Sequence, residues 1–545
     1  MKPTITAPTD SSAQRIPSWL WAVVVLSFAA SCLPLFLFPY FSYEHAWVSA
    51  HFATMARTFI EHGAYALHFT PIQNSGPLTT EPDYYIHWPP LFPVLVSWLA
   101  EWVTGGRISE ALIHSISLIL IALQASLLGI WLARRTSPLA ALFAVMLFLN
   151  IPVVTRFAHA GLHLHLALLL GLAATLVFHQ TALHPRLLTW RLPVGLMLYA
   201  SACFTSWEPF LLLPGLAVYW LVERNRQRFM LVMLYGLGAL LSLASVMFLY
   251  TQSFPGLINS LLNRALFRAG MIGYTDGGST AIHELANTSS EGPPNLIWRL
   301  FPIATNLQQL GLIAVFALAG LIWLWMKRSQ RRAPTPPDWL ALAPLLSQAV
   351  LWVLLMSQHF MIHNYQTLIF ALPIGLSTGF IIHRIITGPT PLSALATWSI
   401  HRKALLVLLC SVLILGPRIA VEYKKYASYG TRDHWIALGS ELQHVTPANA
   451  VILVPWDTMV ATYYSERHLV RAVTPGIYLQ RQQQFLDLCS DCPLYIVADP
   501  NTMDSSQYHD VIALPGKRQL LALNRMSPSP GVSDALPTNP KQTHD

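Results

Sequence analysis

The chain has 545 residues, 54% of them hydrophobic and only 11% charged. Soluble domains carry about 25% charged residues, so this composition excludes a water-soluble fold over most of the length. The formal net charge of +8 falls in short basic clusters between apolar runs, which reads as membrane topology and not as a nucleic-acid surface. In hydrocarbon every backbone polar group must be bonded within the chain. No segment has the two-residue alternation of a barrel strand, so the apolar runs are expected to be helices.

Residues 1–17 are polar, with Lys2 and Arg15, and read as a cytoplasmic tail. The run from Trp19 to about Tyr40 approaches the roughly 20 residues that a span requires. No small-residue cleavage site follows it, so a retained first helix is expected over 18–40. Residues 41–88 are mixed, His-rich and too polar for lipid. Pro89 to Val103 is apolar but short and opens on two prolines, so it is expected to be re-entrant or interfacial. With that segment kept out of the count, Arg134–Arg135, Arg186 with Arg191, Arg224–Arg228, Lys327–Arg332 and Arg384 with Arg402 and Lys403 all fall on the cytoplasmic side. The expected spans are 110–133, 137–155, 162–180, 192–206, 207–222, 229–252, 308–326, 339–357, 364–385 and 403–421, which with the first helix make about eleven. The pair over 192–222 is short, and a bend is expected at Trp207–Pro209. The transmembrane region thus covers 18–421, in a multi-pass protein of the cell membrane. Its outer loops are 41–109 and 253–307.

From residue 422 the character changes. "HWIALGSELQHV" has helical periodicity, while "AVILVP", "PLYIVAD" and "VIALP" read as buried strands between turn residues. A small α/β domain outside the cytoplasm is expected over 422–525, followed by a Pro/Ser/Asn/Thr-rich disordered tail at 526–545. Five cysteines are too few for a disulfide framework, but Cys489 and Cys492 suit a single disulfide in such a domain. There is no internal repeat, so an inverted-repeat transporter is not supported.

Chemistry concentrates in the first outer loop, "FSYEHAWVSAHFATMARTFIEHGAYALHFT", which closes with "YYIHWPPLFPVLVSWLAEWVTG". Glu44 stands just beyond the first membrane helix. A carboxylate there can accept a proton from an attacking hydroxyl or help to hold a divalent metal; its ordinary alternative is a solvated loop acid.

The acid after the first helix, "MARTFIEHG" and "HWPPLFPVLVSWLAEWVTG" together resemble the first outer loop of GT-C glycosyltransferases, among them lipid A aminoarabinose transferases and protein O-mannosyltransferases. "CFTSWEPFLLLPG" is similar to that superfamily's mid-chain motif, and "SQHFMIHNYQTLIFALPIG" to its late loop. The sequence departs from the pattern in three places. The acidic pair is Tyr43-Glu44, with one carboxylate; His159, His163 and His165 stand where many members carry an acid; and Trp207 replaces a Lys.

The resemblance implies transfer of a sugar from a polyprenyl-phosphate carrier to a lipid, glycan or protein hydroxyl at the outer face of the membrane, with no nucleic-acid partner. Glu44 is then the candidate base or metal-orienting carboxylate, with Asp83 of "EPDYYIHWPP" as a second acid. A divalent metal ion is the one cofactor this reading leaves open. A lipid phosphate requires positive charge at headgroup depth. Arg264 and Arg268, at i and i+4 of one expected helix, can supply it, although such a pair also suits ordinary anionic headgroups. His359, His363 and Tyr365 match the late loop, where a histidine must be protonated to act as a cation. His163 is a candidate lining residue, and His165 points about 200° away on the same helix. Glu208, inside an apolar run, is expensive in lipid and so a functional candidate. Arg57 and His87, within the two outer-loop motifs, complete the substrate-binding set. Two other readings stay open: a lipid or small-molecule transporter, and a non-catalytic protein of the same fold that binds polyprenyl lipid.

Overall fold

The computed structural model describes residues 46–76, 82–184, 188–254, 256–269, 338–387, 433–454, 459–471, 492–498, 511–515 and 518–523, with isolated positions elsewhere. The helices of the first part are α1 (Ala46–His62), α2 (Leu91–Thr104), α3 (Glu110–Arg135), α4 (Pro138–Leu149), α5 (Pro152–Phe157), α6 (His163–Leu183), α7 (Arg191–Thr205), α8 (Leu212–Glu223), α9 (Arg226–Ser253) and α10 (Leu257–Arg268). Further on come α11 (Leu342–Leu355), α12 (Ser357–Ile362) and α13 (Ala371–Thr387). Four helical stretches among the described residues, Glu110–Arg135, His163–Leu183, Arg226–Ser253 and Asn364–Ile386, are long and apolar enough to cross a membrane.

Local chemistry sets where these helices begin and end. Ser109 caps α3 by accepting from Leu112 N–H, Glu110 occupies its first turn and Arg134–Arg135 its last, so both ends of the helix dipole are complemented. Ser137 caps α4 ahead of Pro138, and Asn225 caps α9. The expected span over 137–155 is broken. The chain leaves the helix at Asn150, whose side chain donates to Met146 O at 2.7 Å, and restarts at Pro152, which has no N–H to continue the ladder. The bend expected at Trp207–Pro209 is present as an extended Ser206 followed by a 3-10 turn over Glu208–Leu211. Two more 3-10 turns, Asp338–Ala341 and Asn364–Phe370, open stretches read from the sequence as uniform spans. Gly215 on α8 lets α11 cross closely; an added Cβ would lie 2.4 Å from Ala343 O. Helix α2, with 14 residues, is about 21 Å long, short of a ~30 Å hydrocarbon core. Its Trp98 and Trp102 are exposed, as suits a helix lying at an interface.

The C-terminal region is a sheet unit. Helix α14 (Asp433–Val445) leads into β1 (Val451–Val454), α15 (Met459–Ser465), β2 (His468–Arg471), β3 (Leu494–Ala498), β4 (Val511–Leu514) and β5 (Arg518–Leu523). The strand order is β2-β1-β3-β5-β4. β1 runs parallel to β2 and β3, and β5 pairs antiparallel with β3 and β4. β1 is buried throughout, as its unbroken apolar run demands. "VIALP" departs from expectation: β4 is an edge strand with Ala513 exposed. Cys492 is disulfide-bonded. Cys489, the tail at 526–545, and most of the expected spans over 18–40, 308–326 and 403–421 lie outside the described residues.

Helix α15 seats the sheet unit on α1. Arg57 donates to Tyr463 O at 2.9 Å, lies 4.7 Å over the Tyr463 ring and pairs with Glu466 at 3.4 Å. Tyr463 donates to Ile108 O at 2.8 Å, and the Tyr464 hydroxyl bonds the Glu110 carboxylate. The sheet unit and the loop containing α1 therefore occupy one end of the helical bundle.

Candidate functional site

Beneath this contact lies a buried cluster of aromatic rings, histidines and charged groups built around Trp88. The loop that carries Trp88 is held by its backbone. Trp207 Nε1 donates to His87 O at 2.7 Å, and Tyr250 donates to Trp88 O at 2.5 Å. Trp207 thus ties the α7–α8 bend to the outer loop. Around the Trp88 ring stand His163 at 4.4 Å, His359 at 5.6 Å and Trp352 at 6.0 Å between ring centroids. His363 lies 4.5 Å from His359, 5.3 Å from Tyr365 and 5.9 Å from Trp47. On the other flank Tyr85 packs 4.3 Å from His51 and 4.5 Å from His87, while Phe52 lies 5.2 Å from His163.

The charge comes from α10. Arg264 and Arg268 lie one turn apart, and the Arg268 guanidinium sits 4.6 Å over the Trp88 ring, a cation–π arrangement that strengthens when water is excluded. The Glu208 carboxylate, fully buried at 0% exposure, takes a hydrogen bond from the Ser206 hydroxyl. It interacts with Arg268 and faces Gln366, whose amide is 3.3 Å from His359 Nε2. Two guanidinium groups against one carboxylate leave this group of residues positive.

The same burial decides which groups carry that charge. Desolvation, reinforced by Arg264 and Arg268, pushes His87 well below its ordinary value. Desolvation, His363 and Arg268 do the same to His359. Desolvation alone lowers His51 to about 3. Tyr85 is pushed up to about 12 by burial, against the pull of the two arginines. Of the two late-loop histidines expected to supply a cation, His359 or His363, the first is therefore ruled out. His359 is neutral, and the cation is arginine, which stays protonated inside proteins.

Of the residues singled out in the sequence, Arg264, Arg268, His87, His163, Glu208, His359, His363 and Tyr365 converge here. Asp83 does not share their burial. It is exposed on the loop, where its carboxylate accepts from Asn74 Nδ2 at 3.4 Å. Arg57 serves the contact with the sheet unit. His165 Nε2 lies 2.8 Å from Phe157 O, and His159 stacks on His114 at 5.4 Å. Glu44 lies outside the described residues. Among the described residues no three His, Cys, Asp or Glu side chains are grouped to hold a metal ion. The sequence reading missed His51, Tyr85, Trp88, Trp352 and Gln366. Only Trp88 carried a signal, its place in "HWPP". The others are common core residue types whose convergence is tertiary.

No protein-family model and no curated relative matches the sequence. Solved structures do match. The structure of ArnT from Cupriavidus metallidurans bound to undecaprenyl phosphate superposes with a TM-score of 0.61 at 14% identity, covering 93% of this chain and 98% of that one. Its apo form gives 0.56 at 15% identity over the same shares. The apo oligosaccharyltransferase of Archaeoglobus fulgidus gives 0.52 at 12% identity, covering 89% of this chain and 70% of that one. The chain is a multi-pass membrane protein with the GT-C fold that ArnT and the archaeal oligosaccharyltransferase share.

Proposed function

We propose that the protein is a glycosyltransferase that moves a sugar from a polyprenyl-phosphate carrier to an acceptor hydroxyl on a lipid, glycan or protein at the outer face of the membrane. The observation that carries this reading is Arg268, poised over Trp88 with Arg264 one turn away and Glu208 buried alongside. It is a largely buried, positive, aromatic-lined site at one end of a GT-C bundle. ArnT binds undecaprenyl phosphate, which supports a lipid phosphate as the ligand of this site.

The acceptor hydroxyl attacks the anomeric carbon, the bond from that carbon to the phosphate oxygen breaks, and its electron pair leaves with the carrier phosphate. Arg264 and Arg268 hold the charge that develops there. The desolvation of Arg268 makes its share of this stabilisation larger than it is in water. The hydroxyl proton passes to a carboxylate. Glu44 fills that role from its place after the first helix, while Glu208, bonded to Ser206 and paired with Arg268, keeps the guanidinium oriented. His51, His87 and His359, held neutral, add ring N–H donors and acceptors without adding charge that would compete for the phosphate.

The test uses membranes containing wild type, Glu44→Gln or Glu208→Gln supplied with radiolabelled polyprenyl-phosphate sugars, following loss of label from the carrier. Loss in wild type and in Glu208→Gln, but not in Glu44→Gln, supports the assignment as written. Loss abolished only in Glu208→Gln moves the base to Glu208. Carrier that binds with no loss of label in any sample favours the non-catalytic lipid-binding reading, which the single carboxylate of Tyr43-Glu44 keeps in view.

A further inference from the structure

At the far end of the bundle from Trp88, helices α3 and α6 enclose a second feature that the transfer reaction does not use. The two helices run in the same direction: Gln124 donates to His165 O at 2.7 Å near the start of α6, and Trp131 packs on His179 at 5.7 Å near its end. Between their C-terminal halves lies a cavity of about 440 Å³ lined by Leu127, Ile130, Trp131, Val177, Gln180, Arg134 and Arg135 among others. Its walls are apolar, and its polar groups are the two arginines and Gln180 at the ends of the helices. Ile130 is 49% exposed on the bundle surface, so the cavity opens towards the surrounding lipid.

Two observations point to a ligand. Complementing the C-terminal helix dipole accounts for positive charge at the end of α3, but not for a cavity between two spans. Its polar groups also converge: Arg134 and Arg135, exposed at the end of α3, and Gln180 near the end of α6 line the same cavity.

We infer that the α3–α6 cavity is a binding site for one anionic phospholipid, with an acyl chain against Leu127, Ile130 and Val177 and the phosphate on Arg134, Arg135 and Gln180. A basic pocket between spans on the positively flanked side of a membrane has the chemistry that anionic headgroups select, and the apolar walls select a lipid over a free phosphate. The site is independent of the transfer reaction.

The experiment is native mass spectrometry of the full chain in detergent, titrated with phosphatidylglycerol, with phosphatidylcholine, and with glycerol 3-phosphate as the headgroup without chains. Wild type is expected to retain phosphatidylglycerol over phosphatidylcholine and to ignore glycerol 3-phosphate. Preference is expected to fall about fivefold for each arginine replaced in Arg134→Gln and Arg135→Gln. Arg226→Gln, a charge removed from the exposed start of α9, is the control and is expected to bind as wild type. Equal loss in Arg226→Gln, no preference for phosphatidylglycerol in wild type, or equal binding of glycerol 3-phosphate would each overturn the site.

Discussion

Two arginine–aromatic pairs at the same end of the molecule serve different ends. Arg57 lies over Tyr463, but its donors are also engaged by protein: it bonds Tyr463 O at 2.9 Å and pairs with Glu466 at 3.4 Å. Arg268 lies over Trp88, and its charge is shared among Glu208, Tyr85 and Tyr365 next to a second arginine. The first pair is complete as a protein contact and fastens the sheet unit to α1. The second keeps an excess of positive charge in a largely buried setting, an arrangement that favours an anionic ligand more than the empty fold. The lesson is that an arginine on a ring is read by what else its guanidinium faces, not by the ring.

The largest effect that would sharpen this contrast is on transfer itself. Replacing Arg268 by Gln is expected to lower label loss from the carrier by about 10²–10³-fold, the usual cost of one preorganised charge-stabilising donor, with little change in melting temperature. A melting shift without loss of transfer would put Arg268 in the structural class of Arg57. Next comes Gly439 of α14, where an added Cβ would lie 2.7 Å from Ala461 O. Gly439→Val is expected to cost about 1–3 kcal/mol through overpacking, read as faster proteolysis of the sheet unit. Unchanged proteolysis would mean that the α14–α15 contact yields easily.

Acid supplies a comparable stress on the polar cluster. His51 is lowered to about 3 by burial, so its unfolded form takes up a proton before its folded form does. Stability is then full above the unfolded value near 6.5 and is lost as pH falls from there towards 3, by about 2 kcal/mol at pH 5. His51→Gln is expected to flatten the fall of melting temperature between pH 7 and 5, and an unchanged slope would place the sensitivity elsewhere. Arg57→Ala is expected to cost about 1 kcal/mol, since the Glu466 side chain is 48% exposed and its pairing adds little. That loss should show as proteolysis with transfer largely kept. Asp83→Asn, on the exposed loop, is expected to change transfer by less than about twofold; a loss near that of Arg268→Gln would bring Asp83 into the reaction.

Much of this architecture is legible in the chain because it rests on local rules. Ser109, Ser137 and Asn225 cap the helices that follow them, and apolar runs bounded by Arg134–Arg135 or Arg226 mark helix ends. The strand "AVILVP" is buried on both faces, as an unbroken apolar run implies. The edge position of "VIALP" was not legible, because pairing with β5 alone is decided by sheet order and not by composition. The break at Pro152 was written in the residues but hidden by the hydropathy on either side. In the site, Glu208 and Arg268 stood out as charges in apolar or amphipathic runs, whereas Tyr85 and Gln366 carry no such mark.

By itself the sequence determined that most of the chain lies in lipid, that a sheet unit follows, and that charge concentrates near a few helix ends, because hydropathy and capping act over a few residues. Only the tertiary structure decided that α10 carries Arg268 onto Trp88, that His359 is neutral, and that Arg57 fastens the sheet unit to α1. Those outcomes depend on distance and burial between segments far apart in the chain, and desolvation sets the charge of a buried group only once its neighbours are in place.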